Sequence, residues 1–81
     1  MNIALSERAL AVLASAQPAM QKALLTQINY LARNLHHPSL RAKKYDESLD
    51  AWQARVNDDW RFDFTVAKGT YIISDIIPHP K

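Results

Sequence analysis

The spacing of apolar residues changes partway along the chain, and this change constrains the fold more than any other feature. From Met20 to Leu35 apolar residues recur at steps of three and four, which is the spacing of one face of an α-helix. Beyond a break at residues 36–41, apolar and polar residues alternate in short blocks, as they do in half-buried strands. Helices followed by strands predict an α+β fold in which a helix hairpin covers one face of a small antiparallel sheet.

The helix boundaries are marked by capping residues. Ser6 is a good N-cap, and Leu5 and Leu10 occupy the two positions of a hydrophobic staple, so a helix is predicted from about residue 7 to 16. Pro18 stands where a second helix would begin, and that helix should run to about Asn34. The stripe that faces the core is predicted to consist of Met20, Leu24, Ile28, Leu31 and Leu35.

Four strands are predicted after the break, and a short fifth strand at Asn2–Leu5 could precede the first helix. The connections between them are too short for parallel neighbours, so the four strands should form an antiparallel meander. Gly69, the only glycine, lies in the last turn, where positive φ is most often needed. The four predicted strands are Lys43–Asp46, Trp52–Val56, Trp60–Ala67 and Tyr71–Ile77.

Length and composition restrict the class of protein. A chain of 81 residues makes a single domain, residues 1–81, with a modest core and little room for a large cavity. There is no cysteine and no apolar run near the roughly 20 residues of a membrane span, so we expect a cytoplasmic protein that does not insert into membranes. The net charge of +2 is too small for the whole surface to attract nucleic acid, so a site for a polyanion must come from local clustering.

Strand alternation produces one electrostatic anomaly. If Val56 pairs with Trp60 across a three-residue turn, Arg55 comes directly opposite Arg61. Like charges facing each other across strands are unfavourable by up to about 1 kcal/mol. Two interpretations stay open at this point: the two guanidinium groups bind a phosphate, or carboxylates of neighbouring strands neutralise them. The carboxylates considered for the second interpretation are Asp46, Asp63 and Asp75.

Other candidate side chains have equally simple alternatives. A basic cluster formed by Arg41, Lys43 and Lys44 could contact an anion or could be a solvated loop edge. His79, held between two prolines after the last strand, could act as a general acid or base. His36 and His37 are interpreted as structural residues at a helix end, and Trp52 and Trp60 as core residues. No spacing typical of a metal site or of a cofactor-binding loop is present, so no metal and no cofactor are predicted.

Four segments, taken in order, resemble the RelE/ParE toxin superfamily. They are NLHHPSLRAKKYD at residues 34–46, WQARVN at 52–57, WRF at 60–62 and IIPHPK at 76–81. Members of that family typically show a helix pair, a loop that ends in lysines, a strand that ends in Arg-Val, an aromatic-Arg pair that opens the next strand and a last strand bearing histidine. The resemblance covers roughly residues 20–81.

This resemblance implies the toxin of a type II toxin-antitoxin pair that cleaves messenger RNA on the ribosome without metal and is silenced by a cognate antitoxin, with which it would form a hetero-oligomer. Arg61 resembles the arginine that stabilises the phosphate, Arg55 a second phosphate contact, and His79 the acid or base. Arg41, Lys43, Lys44 and Lys81 would contact RNA. The family also contains ParE-like toxins that bind DNA gyrase, and a degenerate toxin that acts only through its antitoxin is a third alternative.

Overall fold

The computed structural model describes residues 1–79, and Pro80 and Lys81 lie outside the described part of the chain. No helix within residues 1–79 is long and apolar enough to cross a membrane. In chain order the elements are β1 (Asn2–Leu5), α1 (Glu7–Ser15), α2 (Pro18–Arg33), a 3₁₀ turn (Pro38–Leu40), β2 (Lys43–Asp46), β3 (Ala51–Arg55), β4 (Trp60–Ala67) and β5 (Thr70–Pro78).

The five strands form one sheet in the order β1-β5-β4-β3-β2. The predicted antiparallel meander is confirmed for β2 to β5. The sheet as a whole is mixed, because β1 pairs with β5 in parallel, Ile3 opposite Tyr71 and Leu5 opposite Ile73. Both helices and three strands separate β1 from β5 along the chain, and that length permits a parallel crossover.

The core lies between the two helices and one face of the sheet. Phe62 and Phe64 of β4 are fully buried there, with Ala54 of β3 and Ile73 of β5 beside them. Trp60 and Val66 lie on the same face of β4 as Phe62 and Phe64, and they pack, partly buried, against the same core. The apolar face predicted for β4 is therefore the core face, and the polar face that carries Arg61 and Asp63 is left uncovered.

The helices begin as their sequences predict. The Ser6 hydroxyl accepts a hydrogen bond from the Ala9 N–H at 3.1 Å, which caps α1, and Pro18 opens α2. The buried stripe of α2 differs from the prediction at two positions: Gln27 is only 3% exposed, whereas Ile28 is partly buried, and Leu35 lies beyond the helix end at Arg33 and is also only partly buried. The observed spacing Met20-Leu24-Gln27-Leu31 is as helical as the predicted one, so periodicity alone does not select between Gln27 and Ile28.

Candidate RNA-binding cleft

A cavity of about 290 Å³ opens on the polar side of the sheet, where β3, β4, the loop after the 3₁₀ turn and the end of β5 meet. We call it the basic cleft. It combines three cationic side chains with an amide and an imidazole, and this composition suits an anionic ligand. Its lining residues are Arg41, Lys43, Gln53, Ala54, Arg61 and His79.

The predicted cross-strand pair of arginines is present, since Arg55 of β3 is the register partner of Arg61 of β4. The Arg61 Nη1 donates to the carbonyl of Asn57 at 2.6 Å and to the carbonyl of Trp60 at 2.9 Å. Both carbonyls belong to the β3–β4 turn and its edge, so the backbone holds this guanidinium in place. A guanidinium has five N–H donors, and these two bonds use a single nitrogen, so Arg61 keeps donors for a ligand in the cleft.

Arg55 has a different environment, because its Nη2 lies 2.5 Å from Asp58 Oδ1 in an ion pair within the turn. Arg55 does not line the basic cleft. The expectation that Asp46, Asp63 or Asp75 neutralises the arginine pair is wrong. Asp46 accepts hydrogen bonds from Ser48 and Leu49, and Asp63 accepts one from Gln53. Asp75 accepts a hydrogen bond from the Ile76 N–H and lies 3.5 Å from Arg8 Nε.

The charges around Asp58, in the β3–β4 turn, favour an anion. The hydrogen bond from Arg55 holds the pKa of the Asp58 carboxyl below its usual value, and the charges of Arg55, Arg41 and Arg61 lower it further. The Asp58 side chain is 91% exposed, so solvent screens these interactions and the carboxylate can be displaced. An acidic side chain therefore lies within the field of three arginines at the rim of the basic cleft.

His79 reaches the cleft because the backbone fixes the end of β5. The His79 N–H donates to the carbonyl of Asp59 at 2.8 Å, which ties the segment after β5 to the β3–β4 turn. His79 is exposed and lines the same cavity as Arg61. The other two histidines, His36 and His37, were both predicted to be structural, and their environments differ from each other. The His37 ring stacks on Tyr30 at a centroid distance of 3.8 Å and accepts a hydrogen bond from the Ser39 N–H, whereas His36 is exposed.

The residues of the predicted basic cluster separate in space. Lys43 and Arg41 line the cleft, and Arg41 adopts the left-handed conformation, with φ 46°, directly after the 3₁₀ turn. Lys44 faces the opposite side of β2, where its Nζ lies 2.9 Å from Asp50 and 5.7 Å from the centroid of the Trp52 ring. Strand alternation causes this separation. Lys81 lies outside the described residues.

Two residues near the cleft were not among the predicted site residues. Alternation along β3 predicts that Gln53 shares the polar face with Arg55, and the structure places Gln53 in the lining of the cleft. Gln27 is buried beneath the cleft, where its amide donates to the carbonyls of Ser39 at 2.9 Å and Arg55 at 2.8 Å, and its carbonyl accepts from the Ser39 hydroxyl at 2.9 Å. A polar residue within an apolar helical stripe was the only signal for Gln27.

A second, more apolar hollow of about 400 Å³ lies between the end of α1, the start of α2 and the β3–β4 turn. Its walls include Val12, Ala16, Met20 and Trp60, and Asp59 is its one ionisable lining residue. This composition does not suit an anionic ligand, so the basic cleft is the better candidate for a site that binds phosphate.

No family model and no curated protein sequence matches this chain. Solved structures do match it along nearly its whole length. The YoeB/ParE toxin from Agrobacterium tumefaciens covers 99% of this chain and 100% of its own, with a TM-score of 0.80 and 12% identity. The YoeB dimer from Staphylococcus aureus has a TM-score of 0.80 and 20% identity, covering 99% of this chain and 98% of its own.

The archaeal RelE–RelB complex from Pyrococcus horikoshii provides a third comparison, with a TM-score of 0.81, 17% identity, and 95% of this chain and 92% of that chain covered. At these identities the likeness concerns the fold. This chain therefore has the α+β fold of the RelE and YoeB toxins, which confirms the fold that the sequence resemblance implied.

Proposed function

We propose that this chain is the toxin of a type II toxin-antitoxin pair and acts as a ribosome-associated endonuclease on messenger RNA. The observation that carries this proposal is the presence of Arg61 and His79 in one cleft, together with the cations of Arg41 and Lys43. The fold shared with the RelE and YoeB toxins supports it independently.

In the proposed reaction, the side chains of the cleft promote cleavage of an RNA phosphodiester bond by the neighbouring 2′-hydroxyl. The 2′-hydroxyl attacks the adjacent phosphorus, the bond from phosphorus to the 2′-oxygen forms, and the bond to the 5′-oxygen of the next nucleotide breaks. The attacking hydroxyl loses a proton and the departing oxygen gains one. The products are a 2′,3′-cyclic phosphate and a free 5′-hydroxyl.

Each cleft residue has a role in this reaction. Negative charge grows on the pentacoordinate phosphorus, and Arg61, held by two backbone carbonyls, stabilises that charge without reorganising. Lys43 and Arg41 hold the phosphate, and the His79 imidazole exchanges a proton with one of the two oxygens. Arg55 becomes a second phosphate contact once RNA displaces Asp58 from it.

A cognate antitoxin is the proposed partner that silences the toxin in a hetero-oligomer. Neighbouring folds have been solved as a YoeB–YefM complex from Staphylococcus aureus and as the RelBE toxin-antitoxin complex from E. coli. Messenger RNA on the ribosome is the proposed target, which places the activity in the cytoplasm. Co-purification with the product of an adjoining short reading frame would support the partner, and its failure to bind would count against it.

Regulated expression in a bacterial host tests the nuclease. We expect the wild-type chain to arrest growth and to produce new 5′ ends in messenger RNA, mapped by primer extension. Arg61→Ala and His79→Ala should each relieve arrest and remove the cuts, with an expected loss of activity of about 10²-fold for Arg61→Ala. Arg33→Ala, which alters an exposed arginine at the end of α2, is the matched control and should remain toxic.

Circular dichroism of the purified variants must show that they are folded. Unchanged toxicity of both cleft variants would contradict the nuclease proposal. Growth arrest with intact messenger RNA and altered DNA supercoiling would instead identify the ParE-like, gyrase-binding alternative, and no arrest at all would favour the degenerate toxin.

A further inference from the structure

A shallow hollow of about 360 Å³ adjoins the basic cleft on the same face of the sheet. We call it the tyrosine hollow, and its lining residues are Lys43, Tyr45, Gln53 and Asp63. Lys43 and Gln53 also line the basic cleft, so the two cavities share a wall. If the phosphate of a ligand lies in the cleft, the group next to that phosphate can enter the hollow.

Tyr45 presents its ring to this hollow because alternation along β2 places it on the same face as Lys43. Lys43 and Lys44 pair with Gln53 and Trp52, but the next register partner, Ala51, pairs with Asp46, so Tyr45 is an extra residue in the strand. Tyr45 is 61% exposed, and no other aromatic ring within residues 1–79 stacks on it.

The opposite wall of the hollow is formed by Gln53 and Asp63. These two residues are register partners, and Gln53 Nε2 donates to Asp63 Oδ1 at 3.0 Å. This bond leaves Asp63 Oδ2 as an acceptor without a hydrogen bond among the described residues, while the Gln53 amide keeps one N–H and its carbonyl oxygen. Partial burial, and then the negative charges of Asp63 and Asp46, raise the pKa of the Tyr45 hydroxyl, so the phenol stays neutral.

An aromatic face next to unused acceptors suits a nucleobase. Every base can stack on an aromatic ring. An ionised carboxylate only accepts hydrogen bonds. Adenine and cytosine present an exocyclic amino donor on the edge where uracil presents a carbonyl oxygen, and that oxygen would meet the Asp63 carboxylate unfavourably.

We propose that the tyrosine hollow is a nucleobase subsite, which binds the base of a nucleotide whose phosphate lies in the basic cleft. Tyr45 stacks on this base, and the Asp63 carboxylate, which only accepts hydrogen bonds, selects an exocyclic amino group over the carbonyl of uracil. This inference rests on the proposed action on RNA and adds a preference for amino-bearing bases. It also gives a function to Asp63, whose charge otherwise opposes binding of a polyanion.

Binding of short RNA by the full-length chain tests the subsite. The probes are fluorescently labelled 2′-O-methyl tetranucleotides of adenine, cytosine or uracil, which cannot be cleaved because the 2′-oxygen is blocked, and the readout is anisotropy at low salt. Wild type should bind the adenine and cytosine probes more tightly than the uracil probe. Tyr45→Ala should weaken binding of the adenine probe by about 5- to 160-fold, the range expected for loss of one stacked base.

Three further variants separate stacking and selection from general effects. Tyr45→Phe keeps the ring and should bind the adenine probe as wild type does. Asp63→Asn introduces an amide that can donate to uracil, so the preference against uracil should disappear. Leu49→Ala removes an apolar side chain that is 67% exposed on the β2–β3 connection, outside the hollow, and should leave every affinity unchanged.

The results distinguish failure of the subsite from failure of the proposed function. If Arg61→Ala abolishes binding while Tyr45→Ala and Asp63→Asn behave as wild type, the basic cleft binds RNA and the nucleobase subsite is wrong. If wild type binds none of the probes, or if Arg61→Ala binds them all equally well, the proposed action on RNA fails and the subsite fails with it.

Discussion

Arg55 and Arg61 are direct cross-strand partners, yet their guanidinium groups bond to different acceptors of the same turn. Arg61 donates to the carbonyls of Asn57 and Trp60, whereas Arg55 pairs with the carboxylate of Asp58. The turn thereby relieves the repulsion expected between opposed like charges. It leaves Arg61 held by neutral groups and facing the basic cleft, and it gives Arg55 a carboxylate that a phosphate could replace.

Asp58→Asn should increase affinity for RNA, because it frees Arg55 and removes a negative charge at the rim of the cleft. One additional phosphate contact should steepen the dependence of log affinity on log salt by about 0.7 for a single strand. Titration of an uncleavable oligonucleotide at several salt concentrations measures both effects.

Glu7→Gln is the matched control for this variant, since it removes an equal charge from the exposed start of α1, away from the cleft. If Asp58→Asn changes affinity and salt dependence no more than Glu7→Gln does, the ion pair does not restrict Arg55. Adding Arg55→Ala to Asp58→Asn should abolish the gain, because the two residues act together.

Gln27→Leu should destabilise the fold by at least about 2 kcal/mol, since each buried polar group left without its partner costs roughly 1–3 kcal/mol. The substitution leaves the carbonyls of Ser39 and Arg55 and the Ser39 hydroxyl without the Gln27 amide. For a domain of this size the melting temperature should fall by roughly 10 °C. Thermal unfolding followed by circular dichroism measures the change.

The neighbouring variant Thr26→Ala controls for substitution in the middle of α2. Thr26 is exposed and bonds only to the Lys22 carbonyl of its own helix, so its loss should change stability by no more than about 0.5 kcal/mol. Equal melting temperatures for Gln27→Leu and wild type would show that the Gln27 bonds do not stabilise the loop and strand beneath the cleft.

The Lys44–Asp50 pair should make stability depend on pH at both ends of the range. The hydrogen bond from Lys44, followed by that from Trp52, lowers the pKa of Asp50, so its contribution is present above the ordinary value of 3.8 and is lost as pH falls through the lowered pKa. The hydrogen bond to Asp50 raises the pKa of Lys44, so its contribution is present below 10.5 and is lost as pH rises through the raised pKa.

Urea unfolding at a series of pH values tests this pair. Asp50→Asn should reduce stability between these limits and should flatten the loss of stability in acid relative to wild type. The residual acid dependence should come from Asp46 and Asp58, whose pKa values are also lowered. A wild-type profile and an Asp50→Asn profile that run parallel at every pH would contradict the assignment.

Lys68→Asn should stabilise the protein without affecting the cleft. Lys68 and Gly69 form the two-residue turn between β4 and β5 with φ values of 44° and 79°, which is the backbone of a type I′ turn. Asparagine tolerates positive φ better than lysine does, and the gain should be about 0.5–1 kcal/mol. A higher urea midpoint with unchanged RNA binding is the expected result, and a lower midpoint would show that the lysine side chain is needed.

The sequence predicted most element boundaries because local signals set them. Trp60–Ala67 and Lys43–Asp46 are strands over the predicted residues, and Pro18 opens α2 as expected. The third strand is displaced by one residue, Ala51–Arg55 in place of Trp52–Val56, and the fifth is one residue longer at each end, Thr70–Pro78 in place of Tyr71–Ile77. A strand end depends on pairing with its neighbour, which the alternation of a single strand does not encode.

The candidate site was predicted in part. Register arithmetic placed Arg55 opposite Arg61, because a short turn and a period of two leave little freedom. The same alternation places Lys43 and Lys44 on opposite faces of β2. The sequence prediction grouped them in one basic cluster because they are adjacent in the chain. Asp58 as the partner of Arg55 was missed, since the conformation of the turn decides which carboxylate reaches the guanidinium.

The amino-acid sequence by itself determined the order of helices and strands, the apolar face of β4 and the opposition of two arginines, because periodicity, caps and turn lengths act over a few residues. The tertiary structure decided which side chains share a cavity. His79 joins Arg61 because the His79 N–H binds the carbonyl of Asp59, and Gln27 ties α2 to the chain on either side of the cleft. These contacts join residues distant in the chain, and only the pairing of β4 with β5 and the packing of α2 on the sheet bring them within hydrogen-bonding distance.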